Sequence, residues 1–188
     1  MRSTVASSLQ IMSAKRDVAV LQFKYVNDER MKYFKKKIDE NTGPEDNKTN
    51  VTGKMTDYGF FLWDPDFINF VNEEFFIPEI NKYQQAFPSP NLLGKMNMGQ
   101  AWGSKLEKGN EVIPHSHIPW EWSTILYFCN SAPLETEVGT IDTFKGKVVT
   151  IPGWLRHWVS PVKCEGRYNL VWNWNYTIKH SKEGVENG

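Results

Sequence analysis

Gly109-Asn-Glu-Val-Ile-Pro-His115-Ser-His117 opens a stretch that closes on His157-Trp-Val-Ser-Pro-Val-Lys-Cys-Glu-Gly-Arg167-Tyr-Asn-Leu-Val-Trp172. Three of the chain's four histidines lie in it. In a β-strand, residues i and i+2 leave the same face about 6.6 Å apart, so His115 and His117 could share one target. His157 arrives much later, after a second run of strand character at 147–151, a separation that permits a return strand from the opposite side of a barrel. Two imidazoles at i, i+2 with a third in such a context point to a metal site. Neutral imidazole suits iron, zinc, copper and nickel, whereas calcium or magnesium would ask for oxygens.

Glu121 follows beyond Pro119 and offers a carboxylate, so either His117 or Glu121 could complete the site. Residues 121, 123, 125 and 127 share one strand face; facing inward, it would line the cavity with Glu121, Ser123 and Tyr127. Arg167 lies past Ser160-Pro-Val and Glu165-Gly166, turn residues that predict 157–161 and the strand from 167 as hairpin neighbours. Its planar fork fits a carboxylate, and the other reading is a surface arginine paired with solvent or Glu165. His180, near a polar tail, is read as exposed.

Outward from this stretch, residues 17–26 alternate as a first strand, after a loosely held start over 1–16. Asn27-Asp28-Glu29 caps a short basic helix over 29–38. Residues 41–54 read as a mobile loop and 57–63 as an apolar run. Asp64-Pro65 starts a helix that turns Phe67, Phe70, Val71, Phe75 and Ile80 to one side, with Pro78 breaking it and 87–90 ending the helical part. From Asn91 the expected strands are 95–106, 112–118, 122–129, 138–144, 147–151, 157–161 and 167–178, with 131–138 a loop. Short strands with frequent Gly and Pro indicate a mainly β, jelly-roll fold with a few flanking N-terminal helices. Residues 1–90 are expected as an extension of first strands and supporting helices packed on the roll, and 91–180 as the metal-binding core of a single domain.

The chain has 188 residues, and Lys+Arg and Asp+Glu both total 22, so charge advertises neither a nucleic-acid nor an anionic-membrane partner. The expected substrate is a small molecule or a peptide. Cys129 and Cys164 form no CxxC pair and are read as free thiols in a reducing, cytoplasmic setting. No apolar run is long enough for a membrane helix, residues 1–16 lack the apolar centre of a secretory signal, and the Asn47, Asn50 and Asn175 sequons are read as chance. Aromatics reach 14 %, with eight tryptophans. Alternation sets Trp172 and Trp174 opposite Arg167, in packing, while Trp102 and Trp154 are the candidates for a substrate pocket. Exposed aromatics could serve an interface or a pocket, which leaves oligomeric state open.

Residues 100–175 resemble the double-stranded β-helix oxygenases that use Fe(II) and 2-oxoglutarate, in particular the prolyl-hydroxylase-like group. The likeness rests on Gly109, His115-Ser-His117, Thr124-Ile-Leu-Tyr-Phe-Cys-Asn130, Gly146-Lys-Val-Val-Thr-Ile-Pro152, His157-Trp-Val-Ser-Pro-Val162 and Gly166-Arg-Tyr-Asn-Leu-Val-Trp172. The resemblance implies that His115 and His157 hold iron, that Arg167 grips the far carboxylate of 2-oxoglutarate, and that Tyr127 contacts the same cosubstrate. It implies oxidative decarboxylation of 2-oxoglutarate to succinate coupled to hydroxylation of a C–H bond. His117 stands where the group has aspartate, as in a branch of the superfamily with His-x-His followed by Ser-x-x-x-Tyr, which Ser123 and Tyr127 match. Asn169 stands where Ser or Thr is common, and its amide can still donate to a carboxylate.

Two alternatives stand beside this. Gly109-x5-His115-x-His117-x3-Glu121 also resembles the first motif of metal cupins, which would make the protein a dioxygenase, isomerase or lyase without keto-acid dependence. The other alternative is a non-catalytic jelly-roll binding module with a closed metal site.

Overall fold

A computed structural model of the protein describes residues 6–14, 16–25, 27–43, 50–76, 94–163 and 166–178. Expectations for the 44–49 part of the 41–54 loop, for Pro78, Ile80 and 87–90, and for Cys164 and His180 fall outside these residues.

Eleven described strands form two antiparallel sheets. They are β1 (Ala6–Ala14), β2 (Arg16–Lys24), β3 (Lys54–Met55), β4 (Gly94–Leu106), β5 (Val112–His115), β6 (Trp122–Tyr127), β7 (Ser131–Thr136), β8 (Gly139–Thr143), β9 (Lys147–Pro152), β10 (His157–Val159) and β11 (Arg167–Ile178). The large sheet runs β1-β2-β9-β6-β11-β4-β3 and the small one β5-β10-β7-β8. This is the double-stranded β-helix with flanking helices that the sequence predicts.

Strand β11 shows why the sheets sort as they do. Its even residues Tyr168, Leu170, Trp172 and Trp174 are buried in an aromatic cluster, together with Phe34 and Ile38 of helix α1 (Asp28–Asn41). Phe67 of helix α2 (Pro65–Asn69) and Phe70 and Phe75 of the π-helical turn Phe70–Phe76 that continues it join them. Trp172 takes all three edge-on at centroid distances of 5.7, 6.1 and 5.4 Å, pairs that each contribute about 0.5–1.5 kcal/mol beyond burial. Odd β11 residues face the other way, where Val171 packs with Trp102, Ile125, Tyr127, Leu134 and Val159. Helices therefore cover one face of the large sheet and the small sheet covers the other, with the interior between the sheets.

Both helix starts obey the predicted chemistry. Asn27 accepts from Arg30 N, and Asp64 accepts from Phe67 N with Pro65 in the first turn. The apolar run before Asp64 forms a 3₁₀ turn, Phe60–Trp63.

Three expectations are corrected. The start of the chain is not simply loose, because Ala6–Ala14 pairs with β2 along its whole length. Residues 131–136 form strand β7 rather than a loop; Pro133 and the polar residues disguise it, but β8 and β10 pair with it, and the Thr143 hydroxyl lies within hydrogen-bonding reach of the Ser131 and Ala132 carbonyls. β10 and β11 are not hairpin neighbours. They belong to different sheets, β10 lying between β5 and β7 and β11 between β6 and β4.

Candidate metal centre

His115 ends β5 and His157 begins β10, and the two are direct partners across the antiparallel ladder. The distant histidine thus comes from the adjacent strand, not from the opposite side of the roll. His117 lies two residues beyond His115, in a loop whose backbone is pinned to the end of β9: its N–H donates to Gly153 O at 2.7 Å, and Gly153 N–H donates to Glu121 O at 2.7 Å. Ring centroids are 4.5 Å apart for His115–His157, 4.9 Å for His115–His117 and 5.0 Å for His117–His157. One ligand nitrogen from each ring lies within 4.8 Å of the other two.

Burial dominates the electrostatics. It lowers the pKa of all three rings, His157 to about 4 and His117 to about 2, and the neighbouring imidazoles push the latter two further down. The cluster is neutral at physiological pH, which is the state that donates lone pairs to a metal. His115 Nδ1 sits 2.8 Å from Ile113 O and His157 Nδ1 sits 2.9 Å from Leu155 O. A carbonyl can only accept, so both rings carry the proton on Nδ1 and present an Nε2 lone pair. Converging neutral imidazoles with fixed tautomers fit a first-row divalent cation.

The triad stands between two spaces. A narrow inner cavity of about 50 Å³ is lined by all three histidines together with Tyr127, Arg167, Asn169 and Ser104. Arg167, one of the largest fully buried side chains, comes from the large sheet. Its guanidinium donates to Ala132 O, and its carbon stands 5.4 Å from the Tyr127 ring centroid. Burial pushes the Tyr127 hydroxyl up to about 12, against the pull of Arg167, and this buried hydroxyl makes no hydrogen bond among the described residues. Asn169 Nδ2 donates to Ser104 Oγ at 3.3 Å. A wider cleft of about 220 Å³ opens on the other side of His115 and His117, walled by Tyr58, Trp102 and Trp120 and lined by the carboxamides of Asn50, Gln100 and Asn173.

Other expected site residues lie apart from the cluster. Glu121 is exposed; it precedes β6 and turns to β11, where its Oε2 accepts from Tyr176 N at 2.7 Å. Ser123 is buried but lines neither cavity, and its hydroxyl has no partner among the described residues. Trp102 borders both cavities with its ring 5.8 Å from that of His117, whereas Trp154 is exposed and borders neither. Sequence reasoning missed Asn173, Gln100 and Tyr58. Asn173 carried a signal, since the alternation that sends Trp172 and Trp174 to the core sends 169, 171 and 173 to the face of Arg167.

No family model and no curated protein matches the chain. Solved structures match in fold. A 2OG-Fe(II) oxygenase family oxidoreductase from Burkholderia pseudomallei superposes with a TM-score of 0.60 at 12 % identity over 83 % of this chain and 84 % of that one. The viral collagen prolyl hydroxylase of Paramecium Bursaria Chlorella virus-1, solved as its 2OG complex, gives 0.59 at 9 % identity over 84 % and 96 %. A Pseudomonas putida prolyl-4-hydroxylase gives 0.56 at 11 % identity over 83 % and 91 %. At such identities the likeness speaks for the fold alone.

Proposed function

We propose that the protein is a non-haem Fe(II), 2-oxoglutarate-dependent oxygenase that hydroxylates a small molecule or a peptide. The observation that carries the proposal is a single cavity lined at once by three neutral imidazoles and by a buried arginine, with a tyrosine hydroxyl beside it that has no hydrogen-bond partner among the described residues. His115, His117 and His157 would hold the iron, with Glu121 left in its contact with β11. Three neutral ligands leave the metal its full double charge, which favours a dianionic cosubstrate. Arg167 would bind the far carboxylate with its planar fork, and Tyr127 and Asn169 would donate to the same group. Bound there, the metal would activate dioxygen for decarboxylation of 2-oxoglutarate coupled to C–H hydroxylation. The outer cleft would take the primary substrate against Trp102; among the described residues its lining includes no Lys, Arg, Asp or Glu, which suits an uncharged portion of that molecule.

The test is calorimetric titration of 2-oxoglutarate into the anaerobic Fe(II)-loaded protein, followed by succinate release in air. Binding should be measurable, and Arg167→Ala should weaken it about thirtyfold or more, since truncating one partner of a buried charge pair costs roughly 2–5 kcal/mol. No binding, or an unchanged affinity in the variant, would overturn the proposal and leave a cupin-type metal enzyme or a closed binding module.

A further inference from the structure

The third imidazole lacks the device that holds the other two. His115 and His157 each lean on the main-chain carbonyl two residues upstream, which fixes the proton on Nδ1. His117 Nδ1 instead lies 3.2 Å from Nδ2 of Asn173, and that same Nδ2 lies 2.9 Å from Gln100 Oε1. An amide nitrogen facing the ring would force the proton of His117 onto Nε2 and cover the Nδ1 lone pair. Neither nitrogen would then serve a metal. It also leaves Asn173 Oδ1 buried with no partner among the described residues.

A carboxamide has nearly the same shape turned over. If Asn173 and Gln100 turn over together, both contacts survive with their directions reversed. His117 Nδ1–H then donates to Asn173 Oδ1, and the Gln100 amide donates to the same oxygen, which has two lone pairs to offer.

We propose that Asn173 is the positioning residue of the third imidazole: its side-chain oxygen accepts the Nδ1 proton of His117, is braced by Gln100, and so aims the His117 Nε2 lone pair at the metal. This rests on the metal-binding part of the function proposed above and needs nothing from 2-oxoglutarate. The device does from a side chain what the main chain does for the other two ligands. Contacts of this kind set ring orientation and ligand basicity, and their loss costs about 10–100-fold in metal affinity.

Two measurements on the full chain test it. Long-range proton–nitrogen NMR correlations on the metal-free protein read the tautomer of each histidine directly. His117 should carry its proton on Nδ1, as His115 and His157 do, and an Nε2–H form for His117 would overturn the proposal. Zn(II) affinity, by competition with a chromophoric chelator, should fall about 10–100-fold in Asn173→Leu. It should stay near the wild-type value in Asn173→Asp, whose carboxylate can only accept. Asn173→Leu binding as tightly as wild type, or Asn173→Asp binding as weakly as Asn173→Leu, would overturn it. Should Asn173→Leu fail to fold, the tautomer and the Asp variant still decide. A correct tautomer without 2-oxoglutarate binding would sink the oxygenase and leave this inference standing.

Discussion

His157 is 4 % exposed, and that burial has a consequence for the whole stability curve. Burial, reinforced by His115, lowers its folded-state pKa to about 4, while in the unfolded chain the ring titrates near its ordinary value of 6.5. Between those values the unfolded state takes a proton that the folded state refuses. Unfolding free energy must therefore fall as pH falls from about 6.5 toward about 4, by up to about 1.4 kcal/mol per pH unit for each ring that behaves this way. His117, lowered to about 2 mainly by burial, adds in the same direction. Urea unfolding of the metal-free protein should lose stability from about pH 7 to about pH 5, and His157→Gln should flatten the slope. An equal slope in the variant would place the titrating groups elsewhere. Metal loading should keep that slope and carry it to lower pH, because a bound cation keeps protons off the folded rings while the unfolded rings still take them.

At the scale of elements, the seat of α1 on β4 depends on one missing side chain. A Cβ on Gly103 would stand 2.2 Å from Cγ1 of Ile38, a fully buried and stiff β-branched residue. Gly103→Ala should therefore cost about 1–3 kcal/mol as the helix is levered from the sheet, read as a lower urea midpoint. Adding Ile38→Ala, which removes Cγ1, should cost less than the sum of the two single changes; strictly additive costs would mean that the two positions do not press on each other. Elements were legible where local chemistry and burial agree. The caps at Asn27 and Asp64, and β11 with one face for aromatics and one for Arg167, could be read from residue type and period alone. β7 was not legible, because Pro133 and a half-buried pattern look like a loop until β8 and β10 pair with it. The partnership of β10 with β5 is equally invisible locally. Ser160-Pro161 and Gly166 say that the chain turns, and only packing of the two sheets decides whether it turns within a sheet or between them. The candidate site split along the same line. The histidines announced themselves by type and spacing, Arg167 stood between a buried and a surface reading until packing buried it, and Glu121 sat at the right spacing but was drawn off by Tyr176, a contact long in sequence.

At the scale of the molecule, the two ends of the inner cavity belong to different sheets. His115 and His157 stand on β5 and β10 of the small sheet, while Arg167 and Asn169 stand on β11 of the large one. A metal alone therefore ties the small sheet to the His117 loop and reaches the large sheet through that loop's hydrogen bonds to Gly153 and Asn173. A dicarboxylate held by both the metal and Arg167 would tie one sheet to the other directly. Stabilisation should come in two steps. The first follows metal loading and should survive Arg167→Met. The second follows 2-oxoglutarate and should vanish in that variant. At about one hundred times its dissociation constant, a ligand that binds only the folded state adds about 2.7 kcal/mol. For a chain of this size that corresponds to a rise of about 5–10 °C in Tm. Thermal scans of the metal-free, Zn(II)-loaded and Zn(II)/2-oxoglutarate-loaded protein separate the two steps. A 2-oxoglutarate step of equal size in wild type and Arg167→Met would mean that the acid binds on the small sheet alone, and the inner cavity would lose its role as the span between the sheets.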